Sequence, residues 1–335
     1  MNQLISAFTL FLSLLVEAIP FLMLGVLLSG LLLLFVDERK LIAILPKNPV
    51  LGALVGSLAG FLFPVCECGN IPVARRLITQ GAPASVAIGF LLAAPTINPI
   101  VIFSTYTAFR DQPEIVVLRI GMSLAIATIV GAIFSVQKDL RPLLQPNLAI
   151  YVPTPKSSPP QTKSGSKLPQ TGTFFLGQTD RPLELETLPL PTTSVVEKPF
   201  RDRLHLLLDN TIAEMRELGS ILVLGSAVAA AIQVWVPRDI ILSLGQGPIS
   251  SIVAMMILAA VVSICSTVDS FFALSFSATF TSGSLLSFLV FGPMIDLKAI
   301  GLVLTIFKKR TVVYLFLLSA QMTFLGCLFV NFQIR

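Results

Sequence analysis

The chain has 335 residues, of which 54% are hydrophobic and 12% charged, with a mean hydropathy of +0.87 and a net charge of +5. A soluble domain carries roughly 25% charged residues, so most of this chain must lie in lipid. The basic excess then belongs to loops beside a membrane rather than to a nucleic-acid surface, and four cysteines in apolar surroundings exclude a secreted disulfide framework.

The first apolar stretch runs for more than 30 residues, lacks a basic leader and carries Glu17 near its middle. It reads as a retained span rather than a signal peptide. Crossing a hydrocarbon core takes about 20 residues, and the apolar runs predict about eight spans in an all-α integral membrane protein of the plasma (inner) membrane. They fall at about 5–36, 49–79, 83–109 and 115–137, then at about 204–236, 248–280, 283–307 and 311–333. Residues 1–137 make a first membrane half and 204–335 a second. Between them, 138–203 reads as a flexible, disordered linker, because eleven of the chain's 23 prolines fall between Lys138 and Pro199 and no apolar periodicity survives there. Phe174-Phe-Leu is its single apolar knot.

Two of the spans in each half are broken. Pro64, Gly69 and Pro72 cannot all continue a helix, and a second break falls at Pro95-Thr-Ile-Asn-Pro99, with its counterpart around Pro293. Four crossings per half make the halves parallel repeats. The alternative folds Ile71–Ala94 into a re-entrant hairpin, since the ten-residue arms flanking Gln80-Gly-Ala-Pro83 are too short to span individually; a change in crossing parity then inverts the repeats. Under eight spans, Arg75, Arg76, Lys138, Arg141, Lys198, Arg201, Arg203 and Arg335 share one face. Arg39, Lys40, Lys47, Arg110, Arg238, Lys308, Lys309 and Arg310 share the other. With eight against eight, the positive-inside rule selects neither orientation; the linker's basic character places it in the cytoplasm.

The halves align with each other. Glu17-Ala-Ile-Pro-Phe-Leu-Met-Leu-Gly25 matches Glu217-Leu-Gly-Ser-Ile-Leu-Val-Leu-Gly225, Pro49 matches Pro248, Cys66 matches Cys265 and Asn70 matches Asp269. Ala94-Pro-Thr-Ile-Asn-Pro99 matches Gly292-Pro-Met-Ile-Asp-Leu297. Proline to cysteine is 17 residues in both halves, and cysteine to the second proline is 29 against 28. Ordered anchors at matched spacing point to internal duplication, giving two homologous four-helix halves.

The duplicated breaks carry the polar residues. Cys66-x-Cys68 places two polarisable thiols on a bent backbone, suited to soft ions, and Cys265 adds a third if the breaks face each other. Cysteine also packs as a small hydrophobe, the role expected of Cys327. Asn70, Asp269, Asn98 and Asp296 either line a hydrated substrate path or satisfy the backbone groups that broken helices expose. Lys298 is expected to pair with Asp296. Glu17 and Glu217 sit within apolar runs, where a charge costs about 2.5–3.5 kcal/mol; they are candidates for proton coupling, or for locking helices through a neighbour such as Arg216. The lone His205 cannot build a zinc site. No Walker-type, Ser-His-Asp or His-Glu-x-x-His arrangement is present, so neither an enzyme nor a resident cofactor is expected.

The block Pro64-Val-Cys-Glu-Cys-Gly-Asn-Ile-Pro-Val, with Gly81-Ala-Pro, Phe90-Leu-Leu-Ala-Ala-Pro95 and Asn98-Pro99, resembles the bacterial predicted-permease family that includes organoarsenical efflux permeases. That resemblance covers both membrane halves. It implies a secondary active permease exporting a thiol-seeking cargo, a trivalent organoarsenical or a copper- or zinc-type ion, with Cys66, Cys68 and Cys265 as binding residues. Glu67 stands where a small polar residue is expected, and a carboxylate there favours a divalent cation over a neutral arsenical. The partners expected are that substrate, the bilayer and, as an open arrangement, further copies of the chain. A membrane thiol–disulfide relay and a non-transporting partner subunit are the alternatives from other classes.

Overall fold

A computed structural model describes residues 2–35, 45–46, 48–63, 66–136, 141–149, 200–235, 247–277 and 279–333. The described residues form helices and turns, with a single isolated bridge between Leu144 and Phe307. In chain order the helices are α1 (Asn2–Phe35), α2 (Pro49–Leu62), α3 (Asn70–Thr79), α4 (Ala84–Ile97), α5 (Pro99–Ala108), α6 (Pro113–Phe134) and the short α7 (Pro146–Ala149). There follow α8 (Phe200–Trp235), α9 (Pro248–Val262), α10 (Asp269–Leu274), α11 (Ser282–Met294), α12 (Leu297–Val303) and α13 (Lys309–Gln333). Among the described residues, six helices are long and apolar enough to cross a membrane: α1, α4 continued by α5, α6, α8, α11 continued by α12, and α13.

The second expected span of each half is not one helix but two that double back. Asn48 accepts a hydrogen bond from Val50 N, Pro49 opens α2, and the helix stops at Phe63. Contacts fix its direction: Gly52 lies against Ser85, Gly56 against Val86 and Gly60 against Ala94, so α2 runs parallel to α4. Beyond the turn, α3 begins beside Leu91, whose carbonyl accepts from Asn70 Nδ2 at 2.7 Å, and ends at the turn leading back into α4. Thus α2 and α3 form a helical hairpin whose tip, Cys66–Asn70, lies near the end of α4.

The second half repeats this geometry. Ser251 and Ser284 hydroxyls meet at 2.7 Å, Ser287 donates to the Ile252 carbonyl, and Ala259 lies against Gly292, so α9 runs parallel to α11. Two helices of about 1.5 Å rise per residue cannot each span a 30 Å core with 14 or 15 residues. Among the described residues the eight expected crossings correspond to six long apolar helices and two shorter ones, α2 and α9. The hairpin also differs in place from the one weighed in the sequence: its arms are α2 and α3, with the Cys motif at the tip, whereas Gln80-Gly-Ala-Pro83 is the turn at its base.

Around the hairpins the broken helices are central and the flanking ones peripheral. The apolar windows of α4–α5 and α11–α12 are 78% buried, against 28% for α1 and α8. The outer faces of α1 and α8 present Phe8, Leu27, Leu224 and Val228 outward, as lipid-facing surfaces do. They pack antiparallel on each other, with Gly30 against Leu207 and Leu14 clustered with Ala229 and Ala230.

The linker boundary differs from expectation. Residues 141–149 pack on the second half: Lys308 N donates to Leu143 O, Gln145 N to Ile306 O, and Leu144 and Leu148 are buried. Two apolar side chains and a bridge give this stretch the partners that its composition obscured. Phe200 to Arg203 already belong to α8. Phe174-Phe-Leu and most of the linker lie outside the described residues, as do Pro64 and Val65 at the first break.

Candidate functional site

The two hairpin tips share one turn. Cys66 O accepts from Gly69 N and Asn70 N, both at 3.1 Å, and Cys265 O accepts from Val268 N and Asp269 N at 2.9 and 3.1 Å. Each turn places its buried cysteine just before a short helix starts, and α2 and α9 both end where the chain turns away; Ser263 achieves this with a left-handed φ of 46°. The tips meet. Cys66 faces Cys265 from the other half and neighbours Cys68. Cys66, Glu67 and Cys68 are buried, with their ligating atoms within 4.8 Å of one another.

Opposite this tip stands the break of the second half. Asp296 caps α12, its Oδ1 accepting from Ala299 N, and Ser263 Oγ accepts from Leu297 N across the break. Lys298 in the first turn of α12 is buried and places Nζ 3.9 Å from Glu67 Oε1. The ion partner of Lys298 is therefore Glu67 across the halves, not the expected Asp296 alone. Glu67 Oε2, Asp296 Oδ2 and Asn70 Oδ1 are buried without a hydrogen-bond partner among the described residues. A cavity of about 10 Å³ borders Glu67, Asn70, Pro293 and Ala299, about the room of one water. The site is thus buried and acceptor-rich, with the thiols of Cys66 and Cys68 beside Glu67.

The other tip is held differently. Asp269 is clamped by Arg119 of α6, with Nη2 to Oδ2 at 2.6 Å and Nη1 to Oδ1 at 3.2 Å. Nη1 also donates to Thr105 and Ser270, whose hydroxyls lie 3.0 Å apart. Asp269, expected either to line a path or to satisfy exposed backbone, has its carboxylate engaged in this buried pair. Sequence reasoning missed Arg119, although an arginine six residues inside an apolar helix carries a signal: such a charge persists only when paired or functional.

The remaining candidates divide between backbone work and the periphery. Asn98 caps α5, Oδ1 accepting from Val101 N and Nδ2 donating to Ala94 O, so it repairs the backbone exposed by the break. Glu217 pairs with Arg75 at 2.8 Å, rather than with the Arg216 expected in the helix-locking reading, and its side chain is 46% exposed. Its expected mate Glu17 lies on α1, half-buried, within electrostatic reach of Cys265. The two glutamates are therefore not equivalent. Cys327 is fully buried in α13 against Gly283, away from the tips, as packing requires.

The fold and site together define a multi-pass helical membrane protein with a thiol- and carboxylate-bearing centre between its halves. The family model described as predicted permease matches residues 3–332, and the chain belongs to that family. It is 39% identical to the UPF0718 protein YcgR of Bacillus subtilis over 323 residues, 96% of either chain. It is also 29% identical over 330 residues to a Streptococcus mutans protein provisionally named a two-component membrane permease complex subunit, covering 98% of this chain and 96% of that one. No solved structure matches the chain.

Proposed function

We propose that this protein is a secondary active permease that exports a soft, thiol-seeking substrate, a copper- or zinc-type ion or a trivalent organoarsenical. The observation that carries the reading is the meeting of the two tips: three buried thiols and a carboxylate converge from both halves, with acceptor oxygens left unpartnered. Soft ions bind thiolates, and a permease of this kind binds cargo where broken helices meet at mid-depth. Glu17 is the remaining candidate for coupling flux to protons. Glu67 and Asn70 border the cavity, Asp296 caps α12 with Oδ2 unpartnered among the described residues, and Asn98 and Asp269 hold the scaffold.

In this reading the halves are inverted repeats, each with three crossings and a hairpin entering from its own side. Matched spacing and matched element order support the duplication. Charge supports the inversion independently. Following the chain through six crossings, the sixteen basic residues that split evenly under eight spans divide thirteen to three, with Arg110, Arg238 and Arg335 alone on the face opposite the linker. The linker face is then the cytoplasmic one.

Flux of Zn²⁺, Cu⁺ and methylarsenite through the full chain in vesicles tests the proposal. Cys66→Ser and Cys68→Ser are each expected to lower flux of the transported species about tenfold or more, as removal of one soft ligand should. Unchanged flux in both variants removes the thiols from the pathway. A second reading rests on the name given to the Streptococcus mutans relative: this chain is the membrane subunit of a two-component permease. Vesicles containing the chain alone then show no flux, and co-purification with a second protein restores it.

A further inference from the structure

We infer that Lys298 is a tethered counter-cation for the thiol–carboxylate site. Its ammonium holds the place of a cationic cargo when the site is empty and swings aside when the cargo binds. The inference rests on the permease reading and narrows its substrate to a cation, since a neutral arsenical has no charge with which to displace an ammonium.

Two ion pairs join the hairpin tips to the opposite halves, and their contrast carries the argument. Arg119–Asp269 is a locked pair: two hydrogen bonds to one carboxylate at 2.6 and 3.2 Å, and two hydroxyls accepting from Nη1, with Nε alone of the guanidinium nitrogens unpartnered among the described residues. Glu67–Lys298 is loose. Its 3.9 Å separation exceeds hydrogen-bond length, although both side chains are almost completely buried. A pair built only for stability closes such a gap, because burial makes every unsatisfied oxygen costly. Here Glu67 Oε2 and Asp296 Oδ2 are both left without a partner among the described residues.

The ammonium also has the right surroundings. Asp296, Cys68, Glu67 and Cys265 all lie within its electrostatic reach. One cation thus faces two carboxylates and two thiols, the donor set that a soft metal ion would take. Lysine suits the task because its charge is a compact point on a flexible four-carbon stem, whereas the planar fork of arginine locks onto a carboxylate. Lys298 is held at the first turn of α12, where Gly225 of α8 packs against its Cα and the base of its stem at Cβ and Cγ, leaving the outer methylenes and ammonium to swing. Asp296 offers the displaced ammonium a second carboxylate close at hand.

The consequence is specific to the transport cycle. Net export requires the empty site to reorient, and without Lys298 that step carries two buried carboxylates uncompensated. Exchange of cargo for cargo never passes through the empty state. The test uses the full chain in vesicles with Zn²⁺ and Cu⁺ as probes, comparing wild type with Lys298→Gln and Lys298→Arg. For Lys298→Gln, net efflux should fall about tenfold or more and Zn²⁺ binding should tighten about tenfold, as expected when a competing charge about 4 Å away is removed. Cargo-for-cargo exchange should stay within about twofold of wild type. Lys298→Arg restores part of the net flux. Exchange and net efflux falling together with binding unchanged, or neither changing, overturns the inference. Wild-type flux confined to methylarsenite overturns the cation assignment and leaves the permease reading standing; absence of wild-type flux for every probe overturns both.

Discussion

Arg119 shows most plainly how a single side chain sets the position of the site. It is fully buried and ties α5, α6 and the second hairpin tip together through Thr105, Asp269 and Ser270. Removing one member of a buried pair leaves the other charged and unpaired, which costs about 3–5 kcal/mol. Arg119→Gln is therefore expected to lower the unfolding midpoint in detergent sharply, while Arg119→Gln with Asp269→Asn recovers most of the loss. Equal destabilisation in the single and double variants contradicts the pairing. At this scale the sequence was legible where residues recur: Cys66 and Cys265 announce themselves by equal spacing from a proline. It was opaque where partners come from different halves. Nothing local tells that Lys298 reaches Glu67 as well as Asp296, or that Asp269 belongs to an arginine 150 positions earlier.

Among the elements, the hairpins depend on close packing of small residues. Gly52, Gly56 and Gly60 recur every four positions along α2 and bring its backbone onto α4; a Cβ at Gly60 would sit 2.7 Å from the Ala94 Cα. In lipid, where apolar burial supplies little drive between helices, such a stripe allows the approach that dispersion requires. Gly25 of α1 similarly lies against the backbone of Gly69 at the first tip. Gly60→Val should cost about 1–3 kcal/mol through overpacking, and Gly121→Val, at a position with open space, should cost little. Thermal unfolding of the two variants side by side checks this; equal behaviour would show that α2 does not lean on α4. The added apolar length of α2 and α3 imitated one long span in the sequence. Hydropathy counts residues and is blind to a reversal between them, so helix existence was legible and helix direction was not. The packed stretch 141–149 was hidden for a related reason: a few apolar residues among prolines acquire meaning only from the distant turn they cover.

For the whole molecule, the proposed arrangement of two hairpins entering from opposite faces would explain several facts together. It would account for six long helices among the described residues where hydropathy suggested eight, for the antiparallel pairing of α1 and α8, and for a basic charge that would gather on the linker face. The thiols are buried at the tips, and the proposed transport would require one half to move against the other for cargo to enter. The junction itself is the claim on which transport depends, and cross-linking reads it directly. In a Cys68→Ser, Cys327→Ser background only Cys66 and Cys265 remain, one in each half. Oxidation in native membranes, followed by cleavage at a protease site introduced between residues 160 and 180, should leave the halves migrating as one species until a reductant separates them. Halves that part without reductant, with both thiols still free, would contradict a meeting of the two tips.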